Sequence, residues 1–142
     1  MTLGKVILIT GVAGFIGSHL AEALLRSDTA NVSLVIGIDE LNDYYNVSLK
    51  LSNLQHLQRL GASRFILHTF DISDSERVKE VFEQARRNGH PVSHVAHMAA
   101  RAGVRPSIQV GVIYRPSQST HTLTPQPHHG QSSFPSYMYN PT

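Results

Sequence analysis

The chain has 142 residues and a formal net charge of +2, and this length suits one domain with its own hydrophobic core. Its 41% of hydrophobic and 15% of charged residues are typical of a folded protein, and the lack of cysteine excludes disulfides and thiolate metal sites. Since no apolar run approaches the roughly 20 residues of a membrane-spanning helix, we expect no membrane partner. We also expect a cytoplasmic location.

The charge is distributed unevenly along the chain. Residues 1–83 carry 10 acidic and 7 basic side chains, whereas the remaining residues include 5 arginines and no acid. These arginines are scattered and do not form the basic stripe that usually contacts a phosphate backbone. We therefore predict no nucleic-acid partner.

The first half of the chain alternates strand and helix patterns. Continuous aliphatic runs at Lys5–Thr10 and Val32–Ile38 predict parallel strands that are covered on both faces. Between them, helical spacing predicts a helix whose buried face comprises Phe15, Ile16, His19, Leu20, Ala23 and Leu24. After the second run, another helix is predicted from Leu51, Leu54 and Leu57.

The alternation continues to residue 97. Arg64–Phe70 and Val92–His97 predict a third and a fourth strand, and Gly89 predicts the end of the helix between them. Ser73 and Glu76 match a capping box at the start of that helix, whose apolar face would comprise Val78, Val81, Phe82 and Ala85. The pattern predicts an α/β fold, a Rossmann-like doubly wound parallel sheet in the order 3-2-1-4, truncated after about four strands.

The last 32 residues differ in composition from the rest. Residues 111–142 contain 5 prolines, 9 serines or threonines and 3 histidines, with little apolar periodicity. We therefore expect a partial Rossmann-like domain at residues 1–110 and an irregular or disordered tail at residues 111–142. The three histidines of the tail have no further ligands near them in the sequence, so no metal site is predicted.

Three glycines follow the first strand in the stretch TGVAGFIGSH. A residue without Cβ adopts positive φ and lets a ligand oxygen approach the backbone. We assign the tight turn to Gly11, the close approach of a ligand to Gly14 and close helix–strand packing to Gly17. A helix that begins near Gly14 directs its free amides and positive dipole end at a diphosphate.

An acidic residue follows at the distance expected for a dinucleotide site. Asp39 lies 22 residues after Gly17 at the end of the second strand, where such folds place the acid that accepts from a ribose hydroxyl. Its charge would repel a 2′-phosphate, and Glu40 beside it adds to the repulsion. The pair therefore favours NAD over NADP.

Four segments carry a family resemblance: TGVAGFIGSHLAEALL, IDELNDYYNVSLK, FDI and HMAARAGVRPS. They resemble the extended short-chain dehydrogenase/reductase family of NAD-dependent epimerases and dehydratases, over residues 4–109. Within that family, Asp39–Lys50 and Ala102–Ser107 are most similar to the UDP-glucuronate 4-epimerases. The resemblance implies an NAD cofactor and a UDP-sugar substrate.

The resemblance also implies roles for individual residues. Arg105 matches an arginine that borders the sugar-nucleotide cleft, although a solvated basic side chain is an equal alternative. Arg101 stands where the family commonly has glutamine. The positions that match the NAD site are the diphosphate turn, the ribose acid with its neighbouring segment, the adenine pair and a strand end along the nicotinamide half: Gly11, Gly14, Phe15, Ile16, Gly17, Asp39, Asn42, Asp71, Ile72, Met98, Ala99 and Ala100.

The family's chemistry needs a general base that this sequence does not contain. Such enzymes transfer a hydride from sugar C4 to NAD and return it, using a Tyr whose pKa is lowered by a Lys four residues later. The tyrosines here, at 44, 45, 114, 137 and 139, have no lysine at that spacing, and the lysines are Lys5, Lys50 and Lys79. The family's substrate domain is also missing, so we predict no catalytic residue in this chain.

Several hypotheses about function stay open at this point. The chain can be the NAD-binding portion of an epimerase without catalytic competence, or a fragment of a sugar-nucleotide dehydratase. It can also be a non-catalytic NAD-binding or regulatory module that associates with a full-length relative. A third hypothesis is that this sequence is one part of an active epimerase.

Overall fold

The computed structural model describes residues 4–100, in which strands and helices alternate. The elements are β1 (Lys5–Thr10), α1 (Phe15–Arg26), β2 (Val32–Asp39), α2 (Val47–Gly61), β3 (Phe65–Thr69), α3 (Ser75–Arg87) and β4 (His94–His97), with a short 3-10 turn at Ala62–Arg64. The predicted tail at residues 111–142, Arg101 and Arg105 lie outside the described residues.

The four strands form one parallel sheet in the order β3-β2-β1-β4. This confirms the predicted α/β class and strand order. The chain first builds outward from β1 to β3 and then crosses back to place β4 on the other side of β1. Such a reversal opens a crevice at the carboxyl ends of the strands, where α/β folds bind their ligands.

The core lies on both faces of the sheet. Side chains alternate along β2, so that Val35 packs with α1 and α2 on one face, while Ile36 packs with α3 on the other. Both side chains are almost fully buried, at 0% and 2% exposure. A strand covered on both faces has no polar side to present, which explains the aliphatic run in its sequence.

The predicted buried face of α1 is partly wrong. Leu20 and Leu24 pack against the core, but Phe15 and Ile16 are 77% and 64% exposed, and His19 and Ala23 are also exposed. The face in contact with the sheet is instead made mainly of small side chains, which allow a close approach of helix and sheet: Gly17, Ser18 and Ala21, followed by Leu25. Leu51 of α2 and Phe82 of α3 are likewise exposed, because each lies at the margin of its helix's buried stripe.

The start of α3 also differs from the prediction. Asp74, not Ser73, is the N-cap, and its carboxylate accepts a hydrogen bond of 3.1 Å from the backbone N–H of Arg77. A carboxylate satisfies the first-turn amides and also interacts favourably with the helix dipole. The C-terminal end of α3 agrees with the prediction. Gly89 adopts φ +79°, and the His90 N–H donates to the Ala85 carbonyl in a Schellman-type motif.

The strand β4 begins two residues later than predicted. Val92 and Ser93 precede it, because the Ser93 hydroxyl takes the place of a backbone acceptor. The N–H of Val6 donates to Ser93 Oγ at 3.0 Å, so at this point of the ladder the acceptor is a side-chain oxygen and not a backbone carbonyl. The third strand is shorter than the predicted Arg64–Phe70 by one residue at each end.

Residues 4–100 contain neither a membrane-spanning helix nor a cluster of metal-ligating side chains. None of the helices in this range is long and apolar enough to cross a membrane. Nor does this range bring together three or more His, Cys, Asp or Glu side chains that could hold a metal ion. The histidines of the tail fall outside it.

Candidate functional site

A cavity of about 900 Å³ opens at the carboxyl ends of the strands. Its size is within the range of sites that hold small molecules and cofactors. All twelve residues that were predicted to contact NAD line it: Gly11, Gly14, Phe15, Ile16, Gly17, Asp39, Asn42, Asp71, Ile72, Met98, Ala99 and Ala100. The structure thus brings together side chains from the ends of all four strands.

Gly11 forms the turn that leaves β1. It adopts φ +68°, and its N–H donates to the Ile38 carbonyl of β2 at 2.8 Å. A Cβ at this position would lie 2.8 Å from the backbone nitrogen of Ala99. The turn therefore needs glycine both for its conformation and for its contact with the chain that follows β4.

Gly17 and Gly14 have different environments. A Cβ on Gly17 would lie 2.1 Å from the Gly11 carbonyl oxygen, so this glycine permits α1 to pack on the turn. A Cβ on Gly14 would meet only that same oxygen, at 3.3 Å. Gly14 is the N-cap of α1 and supplies no side-chain cap, and the first turn of the helix contains no acid. The amides and the positive dipole end of α1 therefore remain available toward the cavity.

Asp39 connects the glycine turn to the end of β2. Its Oδ2 accepts from the Ala13 N–H at 3.0 Å and its Oδ1 from the Leu41 N–H at 2.9 Å. The residue is only 7% exposed, yet it lines the cavity. Each carboxylate oxygen can accept a further hydrogen bond, so the group can both hold the turn and contact a ligand hydroxyl.

Beyond Asp39, three side chains form a connected polar group. Lys50 Nζ donates to the Asn42 carbonyl oxygen at 2.9 Å and to Asn42 Oδ1 at 2.8 Å, and Asn42 Nδ2 donates to Glu40 Oε1. Lys50 is 8% exposed. We call Asp39, Glu40, Asn42 and Lys50 the β2 wall of the cavity.

On the other side of β1, Met98, Ala99 and Ala100 form what we call the β4 wall. The Met98 N–H donates to the Thr10 carbonyl at 3.1 Å, and the Ala99 N–H donates to Thr10 Oγ1 at 3.1 Å. Thr10 Oγ1 is also 2.7 Å from His97 Nδ1. The β4 wall is therefore held to β1 largely by polar contacts with one buried threonine.

The outer part of the cavity is apolar and aromatic. Tyr44 and Tyr45 pack edge to face with their ring centroids 5.2 Å apart, and they line the cavity together with Phe15 and Ile16. Asp71 follows β3 and accepts from the Ser73 N–H at 2.9 Å, while Ile72 packs against the α3 side of the core. These residues form a mouth in which an aromatic or heterocyclic ring could pack.

The structure adds residues that sequence reasoning did not select as functional. Lys50, Tyr44 and Tyr45 line the cavity, and their signal was present in the segment LNDYYNVSLK. Asn53 also lines it, and Asn53 Nδ2 donates to the Ala13 carbonyl at 3.0 Å, which ties α2 to the glycine turn. A polar residue within a helix gives no such signal in the sequence. Among residues 4–100 no tyrosine precedes a lysine by four positions.

Comparison with protein-family models gives a match to GDP-mannose 4,6 dehydratase over residues 8–123. A UDP-glucuronate 4-epimerase of Thermodesulfobacterium geofontis is 40% identical over 116 residues, which are 82% of this chain and 32% of that protein. UDP-glucuronate 4-epimerase 2 of Arabidopsis thaliana is 43% identical over 102 residues, or 72% of this chain and 21% of that protein. The chain thus spans a third or less of the length of these relatives.

Solved structures with the same fold share little sequence. The 4-hydroxyisoleucine dehydrogenase complexed with NADH has a TM-score of 0.57 at 18% identity and matches 80% of this chain and 41% of its own. Carveol dehydrogenase from Mycobacterium avium in complex with NAD has a TM-score of 0.51 at 21% identity, with coverage of 72% and 37%. At these identities the likeness establishes the Rossmann-like fold alone.

Proposed function

The chain belongs to the GDP-mannose 4,6 dehydratase family, and we propose that its cavity binds NAD. The observation that carries this proposal is the lining itself, in which twelve residues chosen from the sequence surround one cavity at the strand reversal. The relatives named as UDP-glucuronate 4-epimerases support an epimerase-like protein, and two solved proteins of the same fold were determined with NADH or NAD.

The glycine turn fits the diphosphate of NAD. Gly14 leaves room for a ligand at the start of α1, and the uncapped first turn supplies N–H donors and a positive dipole end. Glycine is needed at Gly11 and Gly17 for the turn and for helix packing, so the three positions have separate roles. A Cβ at Gly14 would occupy the space that the phosphate oxygens need.

The order of the strands supports one direction for the proposed cofactor. The β2 wall lies on one side of the turn, and Asp71 with Ile72 lies farther out on the same side, after β3. These residues would hold the adenosine half, with Asp39 accepting from a ribose hydroxyl. The β4 wall lies on the opposite side and would contact the nicotinamide half. The negative charge of Asp39 would exclude the 2′-phosphate of NADP.

In the epimerases and dehydratases that the chain resembles, NAD supplies a hydride acceptor that later returns the hydride to the sugar. The residues of this chain would bind and orient the cofactor. The sequence contains no Tyr-x-x-x-Lys pair that could remove the proton from a sugar hydroxyl. We therefore propose that these 142 residues form the NAD-binding portion of a UDP-glucuronate 4-epimerase-like protein and do not catalyse epimerisation by themselves.

Calorimetry with the purified 142-residue chain tests the proposal. We expect NAD to bind, with NADP at least about tenfold weaker because of the charge of Asp39. Gly14→Ala should weaken NAD binding by about tenfold or more and leave the melting temperature within a few degrees, since the new methyl group meets only one backbone oxygen. Failure of the unmodified chain to bind NAD at millimolar concentration would refute the proposal.

A separate assay tests catalysis. The same chain is incubated with NAD and UDP-glucuronate, and the sugar products are separated by chromatography. We expect no UDP-galacturonate. Formation of this product by the 142-residue chain would show that the missing tyrosine–lysine pair is replaced by other residues.

A further inference from the structure

The short strand β4 carries one wall of the cavity but has little apolar packing of its own. Val95 is 54% exposed, and Ala96 is only partly buried against the core. Its ladder with β1 runs from Ile7–His94 to Thr10–His97, four pairs in all. Apolar burial is usually what fixes strand register, and because it is small at β4, polar contacts contribute more to the position of this strand.

Polar side chains hold β4 at both ends. At its start, Ser93 Oγ accepts from the Val6 N–H at 3.0 Å and donates to the Val6 carbonyl at 2.9 Å. At its end, Thr10 Oγ1 contacts both His97 Nδ1 and the Ala99 N–H, at 2.7 and 3.1 Å. The contact with the Ala99 N–H involves the β4 wall itself, because Ala99 belongs to that wall.

One hydroxyl, that of Thr10, contacts both His97 and Ala99. A threonine hydroxyl has one hydrogen and two acceptor lone pairs. Thr10 Oγ1 accepts from the Ala99 N–H with one lone pair, and either its hydrogen or its second lone pair can pair with Nδ1 of His97, according to the tautomer of the ring. In either direction, the contact of 2.7 Å with Nδ1 orients the hydroxyl, and the hydroxyl in turn holds the backbone of Ala99. Thr10 is 7% exposed, so bulk water has little access to this contact.

We propose that His97 is a positioning residue, which acts through Thr10 to fix the register of β4 and the place of Met98, Ala99 and Ala100 in the cavity. His97 itself does not need to touch the ligand. The contact of Gly11 with Ala99 makes the position of this wall critical, since the two backbones approach too closely for an intervening Cβ. A small shift of Ala99 would therefore also disturb the glycine turn.

Hydrogen exchange of the Ala99 amide tests this inference without any ligand. His97→Leu removes the polar contact with Thr10, whereas His97→Asn keeps on Cγ an amide that can accept or donate, where histidine has Nδ1. We expect the exchange of Ala99 to accelerate by about fivefold or more in His97→Leu and to return toward the original rate in His97→Asn. Equal exchange rates in the leucine variant and the unmodified chain would overturn the proposal.

Binding of NAD and AMP supplies a second measurement, which rests on the proposed function. Because the β4 wall would contact only the nicotinamide half, His97→Leu and Thr10→Val should weaken NAD by about fivefold and change AMP affinity less than twofold. His97→Asn and Thr10→Ser should restore NAD affinity. Equal losses for NAD and AMP would indicate general destabilisation and contradict a positioning role. If the unmodified chain binds no NAD, the proposed function is wrong, and the exchange of Ala99 alone decides the role of His97.

Discussion

The two walls of the cavity are built on strands with opposite environments. The β2 wall continues from a strand in which every apolar side chain is buried, and its own members are joined by hydrogen bonds from Lys50 through Asn42 to Glu40. The β4 wall continues from a strand of four residues at the edge of the described sheet, with two exposed and two half-buried side chains. One wall is fixed by the core, and the other depends on a few polar contacts.

Because of this difference, we expect substitutions in the two halves of the site to have different effects. A change in the core beneath β2 acts through global stability, because the strand cannot shift without losing apolar burial on both faces. A change at β4 acts through local position, because little apolar burial opposes a shift. Stability and affinity should therefore separate at β4 and change together at β2.

A matched pair of substitutions tests this contrast most strongly. Val35→Ala removes two methyl groups from a fully buried site and should lower the free energy of unfolding by about 2 kcal/mol. Val95→Ala makes the same change at a side chain that is 54% exposed and should cost about 0.5 kcal/mol or less. Urea unfolding of both variants measures the two values, and similar losses would mean that β4 is as well packed as β2.

The same contrast explains which parts of the fold could be predicted. The aliphatic runs of β1 and β2 are long because both faces are covered, so their bounds were predicted within one residue. The start of β4 was predicted wrongly, since a serine hydroxyl replaces a backbone acceptor there and leaves no mark in hydrophobicity. Phe15 and Ile16 were predicted as core residues, because periodicity does not distinguish a side chain that faces a cavity from one that faces the sheet.

The residues of the candidate site also differ in whether they could be predicted from the sequence. The glycines and Asp39 could be selected because a backbone turn and a strand end constrain residue type directly. Lys50 was not selected, because a lysine within a helix is normally at the surface. Its burial depends on two acceptors of Asn42, eight positions earlier, in a loop where Leu41 adopts φ +55°. Such a contact requires three-dimensional positions that the sequence pattern does not supply.

Removal of the Lys50 ammonium group tests the β2 wall. Lys50→Met keeps most of the apolar stem but leaves Asn42 without its two donated hydrogen bonds, so we expect a loss of about 1 kcal/mol in stability. If Asn42 then shifts, AMP and NAD should both bind about fivefold more weakly, because both contain the adenosine half. The matched control is Lys79→Met on the exposed side of α3, which should change neither affinity.

This outcome complements the one expected for His97. Substitution at Lys50 should affect the two ligands equally, whereas substitution at His97 should affect NAD alone. If Lys50→Met weakened NAD but not AMP, the direction proposed for the cofactor would be wrong. The two walls would then have to exchange their assigned halves of the ligand.

The smallest change in stability that we expect concerns His68, which is half-buried in β3 at the other edge of the sheet. Burial lowers the pKa of His68 below its ordinary value, the positive charge of Arg77 lowers it further, and Glu80 opposes the shift. The unfolded chain therefore binds a proton at His68 more readily than the folded chain does. The stability that depends on neutral His68 should be complete above about pH 6.5 and should be lost as the pH falls through the lowered pKa.

A titration of the His68 ring by NMR measures this shift directly. We expect its pKa to rise in Arg77→Gln, where a repelling cation is removed, and to fall further in Glu80→Gln, where an attracting carboxylate is removed. Urea unfolding between pH 5 and 7.5 should show a weaker pH dependence in His68→Gln than in the unmodified chain. A pKa at or above the ordinary value would mean that burial of the ring and the charge of Arg77 do not outweigh the attraction of Glu80.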